Sequence, residues 1–245
     1  MSNQKEVIYN SFKFSKKEVV VRRTTNEEGK EFRVLVIGDL HEPFTLVGYL
    51  AFCKSIYKKY KCNKVVFIGD ILDNHASSYF ETDADGLSAG QELTLALSNI
   101  QQWYKAFPNA YVTIGNHDRL IMRKAQTAGV SQHWIKDFNT VLGTPGWTFV
   151  DSVEIDNVFY THGTVDAYTR AKRDLISVCS GHLHTKAGVQ WFVGRHYKIF
   201  GLQVGCGIDH KTYAMTYAFD FPKPVISCGV VLENGTLPIV ILMDI

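Results

Sequence analysis

The chain has 245 residues, of which 46% are apolar, with 26 basic and 24 acidic side chains. That content sustains one sizeable core, and a net charge of +2 exerts no global pull toward nucleic acid or an anionic membrane surface. The amino terminus MSNQKEVIYN has no apolar h-region and no apolar run reaches bilayer-spanning length, so a soluble, cytoplasmic protein without membrane contact is expected. Five cysteines (Cys53, Cys62, Cys179, Cys206 and Cys228) lack CxxC spacing, which predicts reduced, buried thiols rather than a disulfide framework or a cysteine zinc site.

Residues 1–31 are expected to add an edge strand or hairpin, because FKFSKKEVVVRR alternates in places and leads into a polar turn. Charge at Lys13, Lys16, Lys17, Arg22 and Arg23 suits a guarded edge. RVLVIGDLHEP (33–43) is an apolar strand that breaks at Gly38-Asp39, with His41 following. Helical spacing over 45–61 then predicts a crossover to KVVFIGDILDNH (64–75), which repeats the construction with Gly69-Asp70. A polar, irregular stretch (75–86) and a helix (87–107) precede the third copy, AYVTIGNHDR (110–119). Two helices, 119–128 and 132–142, end in a turn at 143–146. Strands over 147–162 carry His162, and VCSGHLH (178–184) carries His182 and His184. The tail alternates strands and turns and ends in an apolar pair expected to close a second sheet. With no repeat or long linker, residues 1–245 are expected to form a single domain.

Asp39, His41, Asp70, Asn116, His117, His162, His182 and His184 thus all follow strands, at the sheet edge where α/β folds bind ligands. Imidazole and carboxylate together suit divalent transition metals, and two ions about 3.5–4 Å apart form a clamp for phosphoryl chemistry. A dinuclear site bridged by Asp70 is the natural reading.

GDLH (38–41), GDILDN (69–74), GNHD (115–118), THG (161–163) and GHLH (181–184) resemble, in order, the five signatures of the calcineurin-like metallophosphoesterases. The resemblance implies a four-layer α/β/β/α sandwich, two mixed sheets flanked by helices. It implies that Asp39, His41 and His184 hold one ion, that Asn116, His162 and His182 hold the other, and that Asp70 bridges. Mn²⁺ leads among the metals, with Fe, Zn²⁺, Co²⁺ and Mg²⁺ compatible. His117 is expected to touch the substrate phosphate and act as general acid, oriented by Asp118, in a hydrolysis by metal-activated water. Asp73 and Asn74 are expected to steady the loop around Asp70, and Asn74, Asn116, His117 and Arg119 to contact substrate. Residues 75–86 and 119–146 are the expected substrate walls, and Gly181 is expected to spare its loop a side chain.

Asn74 stands where the protein-phosphatase branch has an arginine, and Asp118 where it has glutamate, so a protein substrate is disfavoured. The short tail after His184 leaves little room for a DNA-capping domain. A small phosphorylated substrate is therefore expected, foremost a nucleotide hydrolysed as a monoester, with Tyr79, Phe80, Trp134 and Tyr168 as stacking candidates. The tail also resembles a phage and bacterial branch of the superfamily, which places the protein in the host cytoplasm if it is viral. The alternative is a phosphodiesterase or exonuclease whose nucleic acid lies along Arg119, Arg123, Lys124, Arg170, Lys172 and Arg173. A binding protein on an inactive version of the fold is disfavoured by the complete ligand set. Oligomeric state has no signature in the sequence.

Overall fold

The computed structural model describes residues 16–21, 31–79, 82–212 and 222–244. Its strands begin with Lys16–Val21 (β1), inside the stretch expected to lead the chain; the remainder of the predicted hairpin lies outside the described residues. Val34–Ile37 (β2), Lys64–Phe67 (β3) and Ala110–Thr113 (β4) are the apolar runs before the three glycine-marked loops, and they pair in parallel in that order. Parallel neighbours need crossovers. Tyr49–Lys59 (α1) supplies the first, burying Tyr49, Cys53 and Ile56 and placing Lys58 and Lys59 against the negative end of its dipole. Ala89–Ala106 (α2) supplies the second and opens on a capping box formed by Ser88 and Gln91.

After β4 come Leu120–Thr127 (α3) and Phe138–Leu142 (α4). The single helix expected over 132–142 is instead a 3₁₀ turn at Gln132–Trp134 followed by a restart at α4. Asp137 is the reason: its backbone is extended and its carboxylate accepts the Thr140 N–H at 2.8 Å, so it caps a new helix rather than continuing the old one. The remaining elements are Trp147–Ile155 (β5), Val158–Thr161 (β6), Ala167–Asp174 (α5), Ser177–Ser180 (β7), Gly188–Val193 (β8), Lys198–Gln203 (β9), Ser227–Leu232 (β10) and Leu237–Leu242 (β11). No described helix is long and apolar enough to cross a membrane.

The fold is α/β, a large mixed sheet flanked by helices, but the hydrogen bonding does not divide it into the two sheets expected. The strand order is β11-β10-β2-β3-β4-β5-β6-β7-β9-β8, with β1 also paired to β5, in one eleven-stranded sheet. Two features join what would be halves. The closing hairpin β10–β11 pairs antiparallel with β2, Val231 opposite Val34 and Cys228 opposite Ile37. The nine-residue β5 runs parallel to β4 up to Val150 opposite Thr113, then antiparallel to β6 from Ile155 opposite Val158 to Ser152 opposite Thr161. β4 and β6 therefore end facing each other, separated along β5 by Asp151 alone. Alternation does the rest: Leu35 and Ile37 face the core beneath α1 and α2, while Val34 and Val36 join Val66, Val150, Tyr160 and Leu202 in a core made by strands.

Trp103 of α2 ties the helix layer to the site. Its ring meets Phe67 edge-on at 5.8 Å, and Nε1–H donates to the buried Glu42 Oε1 at 2.8 Å, while Asn99 Nδ2 donates to Oε2 at 2.8 Å. Trp103→Phe keeps an aromatic ring but strips the donor, and the stranded acceptor should cost about 1–3 kcal/mol before any packing loss. The expected result is a lower urea midpoint with an unchanged slope; a wild-type midpoint would contradict the role of this hydrogen bond.

Candidate metal centre

Each loop is locked to its neighbour by backbone hydrogen bonds. Leu40 and His41 N–H both donate to Asp70 O, at 3.1 and 2.9 Å, which stitches the loop after β2 to that after β3. His41, Asp70, Asn74 and His182 all take left-handed backbone angles, with φ between 47° and 71°. Non-glycine residues in that region cost of order 1–3 kcal/mol each, and four of the ten among the described residues lie in these loops. Two glycines let carboxylates approach: a Cβ at Gly115 would overlap Asp70 Oδ1, and one at Gly181 would overlap Asp39 Oδ1.

The side chains converge in two groups. In the first, Asp39, His41 and His184 bring one donor atom each within 4.8 Å of the others. His184 Nε2 lies 3.1 Å from both Asp39 Oδ2 and His41 Nε2, and His41 Nε2 is 3.7 Å from Asp70 Oδ2. In the second, Asp70, His162 and His182 meet the same limit. Asn116 joins them through Oδ1, 2.9 Å from His162 Nε2, which is itself 3.2 Å from Asp70 Oδ2. Asp70 belongs to the second group and adjoins the first through its approach to His41. All seven residues expected as ligands lie in this cluster, and His41, Asp70 and His117 form a third set of donors within the same limit.

His117 sits beside them. Its backbone N–H donates to Asp70 Oδ1 at 2.8 Å, and its Nδ1 donates to the Asp73 carbonyl oxygen at 2.7 Å. Asp118 does not orient this ring as expected. It turns away, with Oδ1 accepting Leu72 N–H at 3.1 Å and Oδ2 accepting Gly115 N–H at 2.9 Å, because consecutive residues in the loop project to different sides. Asp73 does the orienting, its carbonyl holding His117 and its Oδ1 accepting from His41 Nδ1 at 2.6 Å. Asn74 donates Nδ2–H to His117 O at 3.0 Å, bracing the same loop, and Arg119 Nη2 donates to Asp151 Oδ1 at 2.7 Å. Sequence reasoning does not single out Glu42 or Glu92, two buried carboxylates. Glu92 accepts the backbone N–H groups of His75 and Ala76 from α2 and so fixes the exit of the Asp70 loop; a glutamate within a helix carries no sequence signal of that contact. Of the stacking candidates, Tyr79 lines a cavity with His117, Trp134 and Tyr168 do not line it, and Phe80 lies outside the described residues.

A pair of cations fits this donor set. His162 gives its Nδ1–H to Ile68 O at 3.0 Å, which leaves Nε2 facing two oxygen acceptors. Only a proton or a metal ion satisfies that arrangement. Asp39 Oδ1 is buried with no hydrogen-bond partner among the described residues, an acceptor waiting for a positive charge. Protons fill the role in part. Burial disfavours charged imidazoles, yet Asp70 together with Asp39 outweighs it at His162 and pushes that ring up to about 10, and Asp70 with Asp73 raises His117. Burial and the neighbouring imidazole cations keep His41 and His182 below the ordinary histidine value. Burial, then the charge of Asp70, lifts Asp118 to about 6.

Imidazole and carboxylate donors converging at the ends of five strands define a metal-dependent phosphoesterase. The family model for calcineurin-like phosphoesterases matches residues 32–196, and the chain belongs to that family. Among solved structures it is similar to vacuolar protein sorting 29 from Cryptosporidium parvum (15% identity, covering 88% of this chain and 92% of that one, TM-score 0.47). It is also similar to Vps29 of Chaetomium thermophilum (12%, 87% and 97%, 0.43) and to YfcE, a phosphoesterase from E. coli (10%, 87% and 100%, 0.42). No curated protein matches the chain.

Gly115→Ala should weaken metal binding by about 10–100-fold, the scale of lost support around a ligand, because the new methyl group displaces Asp70; calorimetric titration of Mn²⁺ into stripped protein measures this, and wild-type affinity would mean the close approach is unimportant. The protonated state of His162 makes a second prediction. Its folded value lies above the unfolded 6.5, so the stabilisation it brings is complete below that pH and is lost as pH rises through about 10. Metal-stripped protein should therefore show a melting temperature that falls from pH 7 to 10, and Mn²⁺-loaded protein a smaller fall; a rising profile for the stripped form would refute the assignment.

Proposed function

We propose that the chain is a phosphomonoesterase acting on nucleotides, of the 5′-nucleotidase or deoxynucleotidase kind, with two divalent ions, Mn²⁺ foremost. The observation that carries this reading is a cavity of about 190 Å³ that opens beside His117 and Asn116 and is walled by Ser78, Tyr79, Leu120 and Arg123. It is sized and lined for one small organic group rather than for a duplex, and the Tyr79 ring is half exposed on its wall.

The two ions, when bound, supply Lewis acidity to the phosphoryl oxygens and lower the pKa of a water. The chain's own part follows from its hydrogen bonds. His117 is held at both its backbone N–H and its Nδ1, which leaves Nε2 as the nitrogen able to give a proton. As the water oxygen bonds to phosphorus and the ester P–O bond breaks, that proton passes to the departing alkoxide. The leaving nucleoside then lies on the His117 side, in the Tyr79 cavity. Asn116 contributes a neutral amide oxygen, which limits negative charge around the ions.

The diester reading has weaker support. Of the six cations expected to line a nucleic-acid groove, Arg119 is paired with Asp151 at 2.7 Å, and Arg170 and Arg173 share Asp174 at 2.9 and 2.7 Å, which leaves Arg123, Lys124 and Lys172 without a carboxylate partner among the described residues. A groove for a polyanion needs free cations. Five buried free thiols suit a reducing, cytoplasmic setting.

Metal-stripped and Mn²⁺-reconstituted protein should be compared on ribo- and deoxynucleoside monophosphates, bis(p-nitrophenyl) phosphate and end-labelled single-stranded DNA. Phosphate release from the monophosphates, with DNA intact and His117→Ala slower by on the order of 10²–10⁴-fold, is the expected result. Shortened DNA with inert monophosphates would reverse the assignment, and no Mn²⁺-dependent turnover of anything would favour a binding role.

A further inference from the structure

The cavity beside His117 has an electrostatic character that a nucleoside alone does not use. Arg123 and Lys124, on consecutive positions of α3, both reach the Tyr79 ring, the guanidinium carbon 5.2 Å and the ammonium nitrogen 5.0 Å from its centroid. Lys124 Nζ also donates to Ser78 O at 2.9 Å, which fastens the Tyr79 wall to the helix. Neither cation has a carboxylate partner among the described residues, whereas Arg119 has Asp151, and Arg170 and Arg173 share Asp174. The one carboxylate lining the cavity, Asp73, is committed to His41 and lies 3.6 Å from His117 Nδ1. Positive charge without a carboxylate partner among the described residues thus lies at the leaving-group end, beside the Tyr79 wall.

Resting on the nucleotide reading above, we infer that this cavity is a leaving-group subsite for a nucleoside that carries a second phosphate, with the base against Tyr79 and the retained phosphate against Arg123. Lys124 is a positioning residue, holding Ser78 and Tyr79 in place. The chemistry is unchanged: the water oxygen bonds to the phosphorus at the metal centre, the P–O bond to the nucleoside breaks, His117 protonates the leaving oxygen, and the second phosphate leaves intact on the product. Two sources share this chemistry, a nucleoside 3′,5′-bisphosphate and a 5′-phosphorylated dinucleotide whose internal diester supplies the second charge.

The test is kcat/KM of the Mn²⁺-loaded full chain on AMP, adenosine 3′,5′-bisphosphate, 5′-phosphorylated diadenylate, ribose 5-phosphate and p-nitrophenyl phosphate. Wild type should prefer the bisphosphate, the dinucleotide or both over AMP by about tenfold, the worth of one charge-assisted hydrogen bond. Which of the two gains more identifies the source. Arg123→Gln should collapse that ratio toward one, Tyr79→Leu should lower AMP relative to ribose 5-phosphate, and Lys105→Gln on the exposed face of α2 should alter neither ratio. Because each readout is a ratio within one protein, a variant that is merely less well folded does not mimic the result. No preference for a second phosphate in wild type, or a preference that survives in Arg123→Gln, overturns the subsite while AMP turnover leaves the nucleotidase standing. Turnover of p-nitrophenyl phosphate with every nucleotide inert overturns both.

Discussion

Four carboxylates, Asp39, Asp70, Asp73 and Asp118, are buried in a single cluster, and the surrounding structure is arranged to tolerate that charge. Burying even one carboxylate is costly unless it is paired and hydrogen-bonded. Asp118 meets the requirement with two backbone N–H groups, Asp73 with His41, and Asp70 with the His117 N–H and the His162 ring. Asp39 accepts the His182 N–H and faces His184 through Oδ2, yet its other oxygen is left over. The loops cannot relax to supply another donor, because Gly115 and Gly181 already admit the carboxylates at contact distance. The deficit is of positive charge, and it is the same deficit that loads His162 with a proton when no cation is present.

Bringing five loops to one place is the work of β5. In an ordinary hairpin the carboxyl end of the second strand lies beside the amino end of the first. Here β5 is long enough to accommodate β4 along its first half and β6 along its second, so both neighbours end at its middle, on either side of Asp151. β7 continues in parallel from β6, and its carboxyl end arrives at the same place with His182 and His184. The single continuous sheet is thus the means by which strands of opposite direction present their ends to one metal centre.

Four of the five loops were legible in the sequence through the same punctuation, an apolar run stopped by a glycine and followed at once by the chemistry-bearing residue, whereas in the loop after β6 His162 precedes its glycine. The strand core and the ligand loops follow from that pattern and the crossover helices from helical spacing, while the division of ligands between two ions is what the family resemblance implies. Continuity of the sheet was not legible, since it depends on the register of β5 and on β10 choosing β2 as partner, which alternation does not specify. The restart at Asp137 was available, as an aspartate immediately before the apolar Phe138 is a helix-start signature, but the apolar spacing across 132–142 masked it. Asp118 is a different case. The expected pairing is with His117, but its two oxygens are taken by the Leu72 and Gly115 N–H groups, and the supporting oxygens come from Asp73, on a different strand end altogether. Which carboxylate serves which imidazole is a property of the packed loops.

The same reasoning separates charges that act outside the molecule from charges that act within it. Counting basic residues near the motifs suggests a groove that runs past both His162 and His117. Once packed, Arg119 faces Asp151 from the middle of β5, and Arg170 and Arg173 meet Asp174 at the end of their own helix. Exposed pairs of this kind contribute little to stability, under about 1 kcal/mol, but they reduce the field a polyanion would follow, more at Arg119 than where Arg170 and Arg173 share one carboxylate. Arg123 and Lys124 escape cancellation because α3 directs them at an aromatic ring rather than a carboxylate. A cation against a π face keeps its full charge for an anion on its other side, whereas one in an ion pair offers an incoming anion less net charge. The asymmetry of the site is therefore set by what each arginine faces in the folded chain, and it points toward the side where His117 holds the proton for the leaving group.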